Sequence, residues 1–334
     1  MTARYGVVIA LGAVLGVIGI FWIMRDRVEP ARSPAIPILP DQAVSPINPP
    51  RDLNQAVSAL GRRLFHDPRL SRDNTVSCAT CHDLKRGGSD GRKLAVGVAG
   101  QRAALNSPTV LNSAIHLQAP WNDPSGRPEE RAARLVHYPS EMASSWSEVA
   151  EKLGKDQDLA NQFKAVWGEE IRPGLIQLSI AEFLRGLVTP DSPYDRFLRG
   201  ESTVLSERAK AGEKLFRQLG CIECHQGVNL GGNMYAGLGI MADFFAEHGS
   251  KSVTDLGRYN ITGREQDKHV FKVPTLRNSK LTAPYFHDGS METLEEAVRA
   301  MAEYQVGVDL DNRQVGDLVA FLDSLTGRNP ELRP

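Results

Sequence analysis

Apolar side chains recur every three or four positions along several stretches of this chain, and almost nowhere do they alternate. Ala56, Val57, Leu60, Leu64 and Phe65 share one face. They predict a helix from about Leu53 that ends before Asp67-Pro68, because the residue ahead of a proline is pushed out of helical geometry. The same period runs from Trp146 to Leu153, from Leu159 to Trp167 and from Leu175 to Val188, where Thr189-Pro190 stops it. A helix from Glu207 to Leu219 follows. Thr293 and Glu296 have the spacing of a capping box for a helix through about Tyr304. The last helix, about Asn312 to Leu325, carries Val315, Leu318, Val319 and Leu322 on one face and is expected to close at Gly327. With so little period-2 alternation, the expected fold is mostly α.

Glycine marks the loops. Gly87-Gly88-Ser89-Asp90-Gly91, then Gly97 and Gly100, predict a long connection, and loops of that length in compact domains tend to be functional. Asn106 to Asn112 reads as a capped turn leading to Trp121. At the N-terminus, Gly6 to Met24 is an unbroken apolar run that would reach roughly 28 Å as a helix, about the hydrocarbon thickness of a bilayer. Its length favours an uncleaved membrane anchor over a cleaved signal segment. Arg25 to Arg51 is proline-rich and aperiodic, and is expected to be a poorly ordered tether. The expected organisation is therefore an anchor or signal segment (1–27), a tether (28–51) and two domains (52–200 and 201–334). The chain has 334 residues, 41% hydrophobic, and a net charge of -1, with no basic run to neutralise phosphates, so nucleic acid is excluded as a partner.

Two short stretches change the picture. Cys78-Ala79-Thr80-Cys81-His82 and Cys221-Ile222-Glu223-Cys224-His225 use all four cysteines of the chain. This is the attachment signature of a c-type haem, in which two thiols add to the vinyl groups of one porphyrin and the imidazole reaches the iron as proximal ligand. A helical turn puts all three side chains on one side. A structural zinc site built from two Cys-x-x-Cys pairs is the plain alternative. It leaves the histidine after each pair unexplained and requires distant halves to meet. Disulfides between cysteines so close together usually belong to redox motifs. Two covalent haem c groups are therefore expected, one on Cys78, Cys81 and His82, the other on Cys221, Cys224 and His225. Thioether attachment takes place outside the bacterial cytoplasm, so the globular part is expected in the periplasm, held at the inner membrane by the N-terminal segment.

Four further stretches accompany these motifs: Asp67-Pro68-Arg69-Leu70-Ser71, Asn106-Ser107-Pro108-Thr109, Phe271 to Asn278, and Pro284-Tyr285-Phe286-His287-Asp288-Gly289. Together they resemble the bacterial di-haem cytochrome c peroxidases, and their relative that matures methylamine dehydrogenase by oxidising protein tryptophans, over about Leu53 to Gly327. The resemblance implies two cytochrome c-like haem domains packed with a calcium-type site between them. It implies an open N-terminal haem where peroxide binds and a closed C-terminal haem whose sixth ligand is Met301, where the maturing relative has a tyrosine. Met291 and Met234 compete for that role, and a core methionine is the commoner fate of the residue. Glu141 falls on the family's distal-pocket glutamate. Trp121 falls on the tryptophan between the haems, although Asn122-Asp123-Pro124 replaces the usual Asp-Gly-Arg. Calcium would be held by the side-chain oxygen of Asn106 and the backbone carbonyls of Thr282 and Pro284.

Many peroxidases of this family block the resting N-terminal iron with a histidine from the loop after the first motif. Here Leu84 to Asn106 holds no histidine, and Val98 stands about where it would fall. The expectation is an N-terminal haem that is five-coordinate or water-bound even when oxidised, with His116 and His137 as alternative blocking groups. His287 is expected near a haem propionate or the domain interface, while His66, His248 and His269 are expected to be structural or exposed. The implied activity is reduction of hydrogen peroxide with electrons from a small cytochrome c or a copper protein. A second reading is peroxide-driven oxidation of side chains of a partner protein, and a third is a non-enzymatic di-haem electron-transfer cytochrome. Dimerisation is common in the family, but nothing in the sequence marks a self-complementary surface.

Overall fold

The computed structural model describes residues 43–115, 134, 136–249 and 252–332. Most of its helices begin where a side chain can satisfy the free N–H groups of the first turn. Helix α1 (Gln55–Phe65) is capped by Asn54, and α2 is the short turn Cys78–Cys81, where Thr80 Oγ1 accepts the Ser77 N–H at 3.0 Å. Ser145 caps α3 (Trp146–Gly154) and Asp156 caps α4 (Gln157–Trp167). Helix α5 (Pro173–Gly186) opens on proline, whose missing N–H is not needed there. Ser192 and Ser206 cap α6 (Pro193–Leu198) and α7 (Glu207–Gln218). Beyond the second motif come β1 (Tyr235–Gly237), α8 (Phe244–His248), α9 (Tyr259–Thr262), β2 (Val270–Lys272), α10 (Leu294–Met301) and α11 (Asn312–Asp323). The last two carry capping boxes, Thr293 with Glu296 and Asp311 with Gln314.

Within the unit Asp41–Pro334, buried apolar side chains gather in two large clusters. One draws on Leu60, Leu64 and Phe65 of α1, Val149 and Leu153 of α3, Phe163 of α4 and Ile176, Ile180 and Phe183 of α5. The other draws on Phe216 of α7, Leu294 and Val298 of α10 and Val315, Leu318, Phe321 and Leu322 of α11. Both are built the same way: the helix leading into a Cys pair crosses a later helix of the same half, α1 on α5 and α7 on α11. A glycine sits at each crossing. A Cβ on Gly61 would lie 1.8 Å from the Ser179 carbonyl oxygen, and one on Gly212 would lie 1.9 Å from that of Asp317. Only a residue without a side chain lets the two backbones meet this closely.

Several features depart from the sequence expectations. Strands β1 and β2 pair antiparallel, Tyr235 with Lys272 and Gly237 with Val270, and three residues each are too few for alternation to register. Gly327 does not end the last helix, which stops at Asp323; its role is close approach, since a Cβ there would lie 1.9 Å from the Thr189 carbonyl oxygen. The described end of the proline-rich segment is docked. Val44 and Ile47 are buried, and the Ala43 carbonyl accepts the Gly227 N–H at 2.7 Å. The Ile47 N–H donates to Asp195 Oδ1 at 3.2 Å, and its carbonyl accepts from Arg199 at 2.8 Å. Asp195 is in turn ion-paired with Arg277 at 2.8 Å, with neither side chain exposed. Among the described residues no helix is long and apolar enough to cross a membrane, and the apolar run Gly6 to Met24 lies outside them.

Candidate functional site

The first motif stands on α2, where the His82 N–H closes on the Cys78 carbonyl at 2.9 Å. Nδ1 of His82 lies 3.3 Å from the Gly88 carbonyl oxygen, with the Pro108 carbonyl as a second neighbour. The second motif forms a single 3₁₀ turn, Cys221–Glu223, and His225 repeats the arrangement: Nδ1 is 3.3 Å from the Leu230 carbonyl oxygen, with Pro274 beside it. Burial pushes both imidazoles down, His225 to about 4, so both are neutral at neutral pH. With Nδ1–H donated to a carbonyl, Nε2 keeps the lone pair a metal needs. The prolines open equivalent segments, Pro108-Thr109-Val110-Leu111-Asn112 and Pro274-Thr275-Leu276-Arg277-Asn278. In each, the threonine hydroxyl donates to a carbonyl of the preceding loop, Gly87 at 2.6 Å or Asn229 at 2.7 Å, and accepts the N–H two residues on. Sequence reasoning missed this repeat, although its Pro-Thr-x-x-Asn signal was present in both halves.

None of the four cysteines is in a disulfide. Burial pushes Cys78 up to about 12 and Cys81 to about 11, the latter with the carboxylates of Asp90 and Glu141 adding to the effect. Among the described residues no three or more His, Cys, Asp or Glu side chains gather as a metal cluster, so the two Cys pairs do not assemble as a zinc site would require. Each site offers two thiols and a neutral imidazole held by its other nitrogen, a donor set that fits a covalent haem.

Burial pushes Glu141 up to about 7. Its effect on Cys81 puts the carboxyl on the side of the first motif. The long glycine loop holds it there: Val98 N–H donates to the Glu141 carbonyl at 2.9 Å, and a Cβ on Gly97 would lie 2.2 Å from the Ser140 carbonyl oxygen. Val98 itself is buried in the first apolar cluster. His137 is exposed, its Nδ1 engaged by the Ser144 carbonyl at 3.1 Å. His116 and Trp121 lie outside the described residues.

Met301 is the last residue of α10, directly ahead of a π-helical turn, Ala302–Val306, a local distortion frequent at functional sites. Of its competitors, Met291 pairs its backbone with Tyr285 and packs beside the aromatic cluster of Phe244, Phe245 and Tyr304, and the Met234 carbonyl accepts the Val273 N–H at 3.0 Å. Asn106 donates its backbone N–H to the His287 carbonyl at 2.9 Å and Nδ2 to the Arg92 carbonyl at 2.8 Å, which leaves Oδ1 as the acceptor atom of its side chain. The loop carrying Thr282 and Pro284 runs alongside: a Cβ on Gly87 would lie 2.6 Å from Leu281 Cβ, and one on Gly91 would lie 3.9 Å from the Ala283 carbonyl oxygen. His287 forms a buried pair with Asp255, Nε2 to Oδ1 2.7 Å, and stacks on Phe271 at 4.5 Å. His66, His248 and His269 each engage a backbone carbonyl through Nδ1, those of Arg62, Phe244 and Asp255.

A mostly helical scaffold with two equivalent haem-attachment sites is that of a di-haem c-type cytochrome. The model of the di-haem cytochrome c peroxidase family matches residues 55–203. The cytochrome c551 peroxidase of Nitrosomonas europaea is 39% identical over 299 residues, covering 89% of this chain and 86% of that protein. The cytochrome c peroxidase Ccp of Escherichia coli (strain K12) is 43% identical over 308 residues, or 92% of this chain, which spans 66% of that relative's length. The crystal structure of a MauG-like protein associated with microbial copper homeostasis matches with a TM-score of 0.77 at 30% identity, over 86% of this chain and 96% of that one. The chain belongs to the di-haem cytochrome c peroxidase family, and so to the oxidoreductases.

Proposed function

We propose that this chain reduces hydrogen peroxide to water at the site around His82, taking two electrons and two protons per peroxide, with the electrons arriving through the site around His225. A haem held by Cys78, Cys81 and His82, and another by Cys221, Cys224 and His225, would supply the redox-active iron. His82 and His225 present Nε2 to these groups while backbone carbonyls hold Nδ1. Glu141 moves the proton: breaking the O–O bond requires a proton carried from the inner to the outer oxygen, and a carboxyl titrating near 7 can accept and return it at neutral pH. Val98 offers no donor atom, so the first site stays accessible in the fully oxidised protein and needs no reductive activation. Met301 caps the second site with a soft thioether, which raises the potential of a His-ligated haem. Trp121 relays charge between the sites. Calcium on Asn106, Thr282 and Pro284 ties together the two loops that run side by side. The chain works in the periplasm, tethered to the inner membrane by residues 1–27, and a small cytochrome c or copper protein is its donor.

The observation that carries this reading is Glu141, a half-buried carboxyl on the Cys81 side, shifted up by desolvation, with its backbone gripped by Val98. The test mixes fully oxidised protein with peroxide across pH. Wild type is expected to react without prior reduction. Its rate should rise with pH through about 7, because below that the carboxyl is already protonated and cannot accept. Glu141→Gln should react roughly 10²–10⁴ times more slowly and lose that inflection, at unchanged haem content; a wild-type rate in the variant removes Glu141 from the chemistry. The histidine-free loop Leu84 to Asn106 also favours a second reading, oxidation of a partner protein's side chains. Fast turnover with reduced cytochrome c supports the first reading. Slow turnover with a long-lived oxidised state supports the second, and indifference to peroxide points to plain electron transfer.

A further inference from the structure

The loop that stops α5 is held by both halves of the chain. Thr189 is fully buried, and its hydroxyl oxygen accepts from Nδ2 of Asn112 and from Nδ2 of Asn278, each at 2.9 Å. The orientation of the two amides is set independently of that oxygen: Asn112 Oδ1 accepts the Thr189 N–H at 2.8 Å, and Asn278 Oδ1 accepts the Gly327 N–H at 3.1 Å. Both asparagines have left-handed backbones, φ 59° and 61°, a conformation asparagine tolerates better than most residues. Each ends a Pro-Thr-x-x-Asn segment whose proline carbonyl neighbours Nδ1 of a proximal histidine, Pro108 for His82 and Pro274 for His225.

The two halves differ at one residue. Thr189 follows α5, and the residue that plays its part after α11 is Gly327, which has no hydroxyl. Asn112 therefore closes on its own half, whereas Asn278 reaches across to the same oxygen. We propose that Thr189 is a positioning residue that couples the two proximal histidines: the segment under one imidazole cannot shift without straining the segment under the other. This rests on reading His82 and His225 as iron ligands. Asn112, Asn278 and Thr189 are all buried, so breaking either bond strands a polar group away from water, and the joint is stiff.

The test uses the full-length haem-loaded protein and two variants, Thr189→Val, which removes the hydroxyl at nearly constant volume, and Thr189→Ser, which keeps it. In Thr189→Val, amide hydrogen exchange should rise about tenfold in both 106–112 and 273–278, and not across the helices generally. The ferric spectra of both haems should shift together in this variant and return in Thr189→Ser. Exchange raised in only one segment, or everywhere alike, overturns the proposal. Exchange raised in both segments with unchanged spectra overturns the link to the imidazoles. If the valine variant does not accumulate, Thr189→Ala carries the same readings. A chain that takes up no haem defeats the ligand reading, while the exchange measurement still decides whether one hydroxyl joins the segments.

Discussion

At the scale of the residue, a proximal histidine needs one nitrogen tied down and the other free, and His82 and His225 reach that state through the same kind of partner, a backbone carbonyl. Their expected role was legible because Cys-x-x-Cys-His is local: five consecutive residues carry the whole signal. Glu141 was legible only through resemblance. A lone glutamate between serine and methionine reads as solvated; its raised pKa comes from desolvation in the fold, where its backbone is held by Val98 from a distant loop. Met301 lies between these cases, since its neighbours announce a helix but not a ligand. Met301→Ala is expected to abolish the low-spin His/Met signature of the second haem, read by electron paramagnetic resonance and near-infrared absorption; if the signature persists, Met291 or Met234 takes the role.

At the scale of the element, capping residues and helical periodicity told where helices start, as the Thr293–Glu296 box shows. They did not tell which helices touch. Gly61 and Gly212 look like weak points in helical patterns, yet each is where two backbones meet. Gly212→Ala gains about 1 kcal/mol of helix propensity, but its Cβ collides with the Asp317 carbonyl. Overpacking costs about 1–3 kcal/mol, so the expected net loss is up to about 2 kcal/mol, measured by urea unfolding of the haem-loaded protein. A net gain in stability would mean that α7 and α11 do not cross there. The six residues of α6 and the three of each strand escaped detection because they hold fewer than two full repeats of their periods, too few to register.

At the scale of the whole molecule, the end of the proline-rich segment belongs to the folded body. Val44 packs into the second apolar cluster, Ile47 is buried, and Ser45, Ile47 and Arg199 surround the buried Arg277–Asp195 pair. A chain begun at residue 52 should be less stable than one begun at 43 by about 3–6 kcal/mol, from the burial of two aliphatic side chains alone. Equal unfolding midpoints would show that this docking contributes nothing. Irregular chain carries no period, so whether such a segment hangs free or docks depends on the surface it meets.

By itself the sequence marked where haems are expected to attach, which stretches are helical and which family the chain resembles, because a covalent signature and an amphipathic period are short-range properties. Only the tertiary structure decided that the Glu141 carboxyl is partly desolvated on the Cys81 side, that Gly327 packs on Thr189, and that one hydroxyl receives both Asn112 and Asn278. Each of these depends on residues far apart in the chain, and burial, close approach and shared hydrogen bonds exist only once those residues have met.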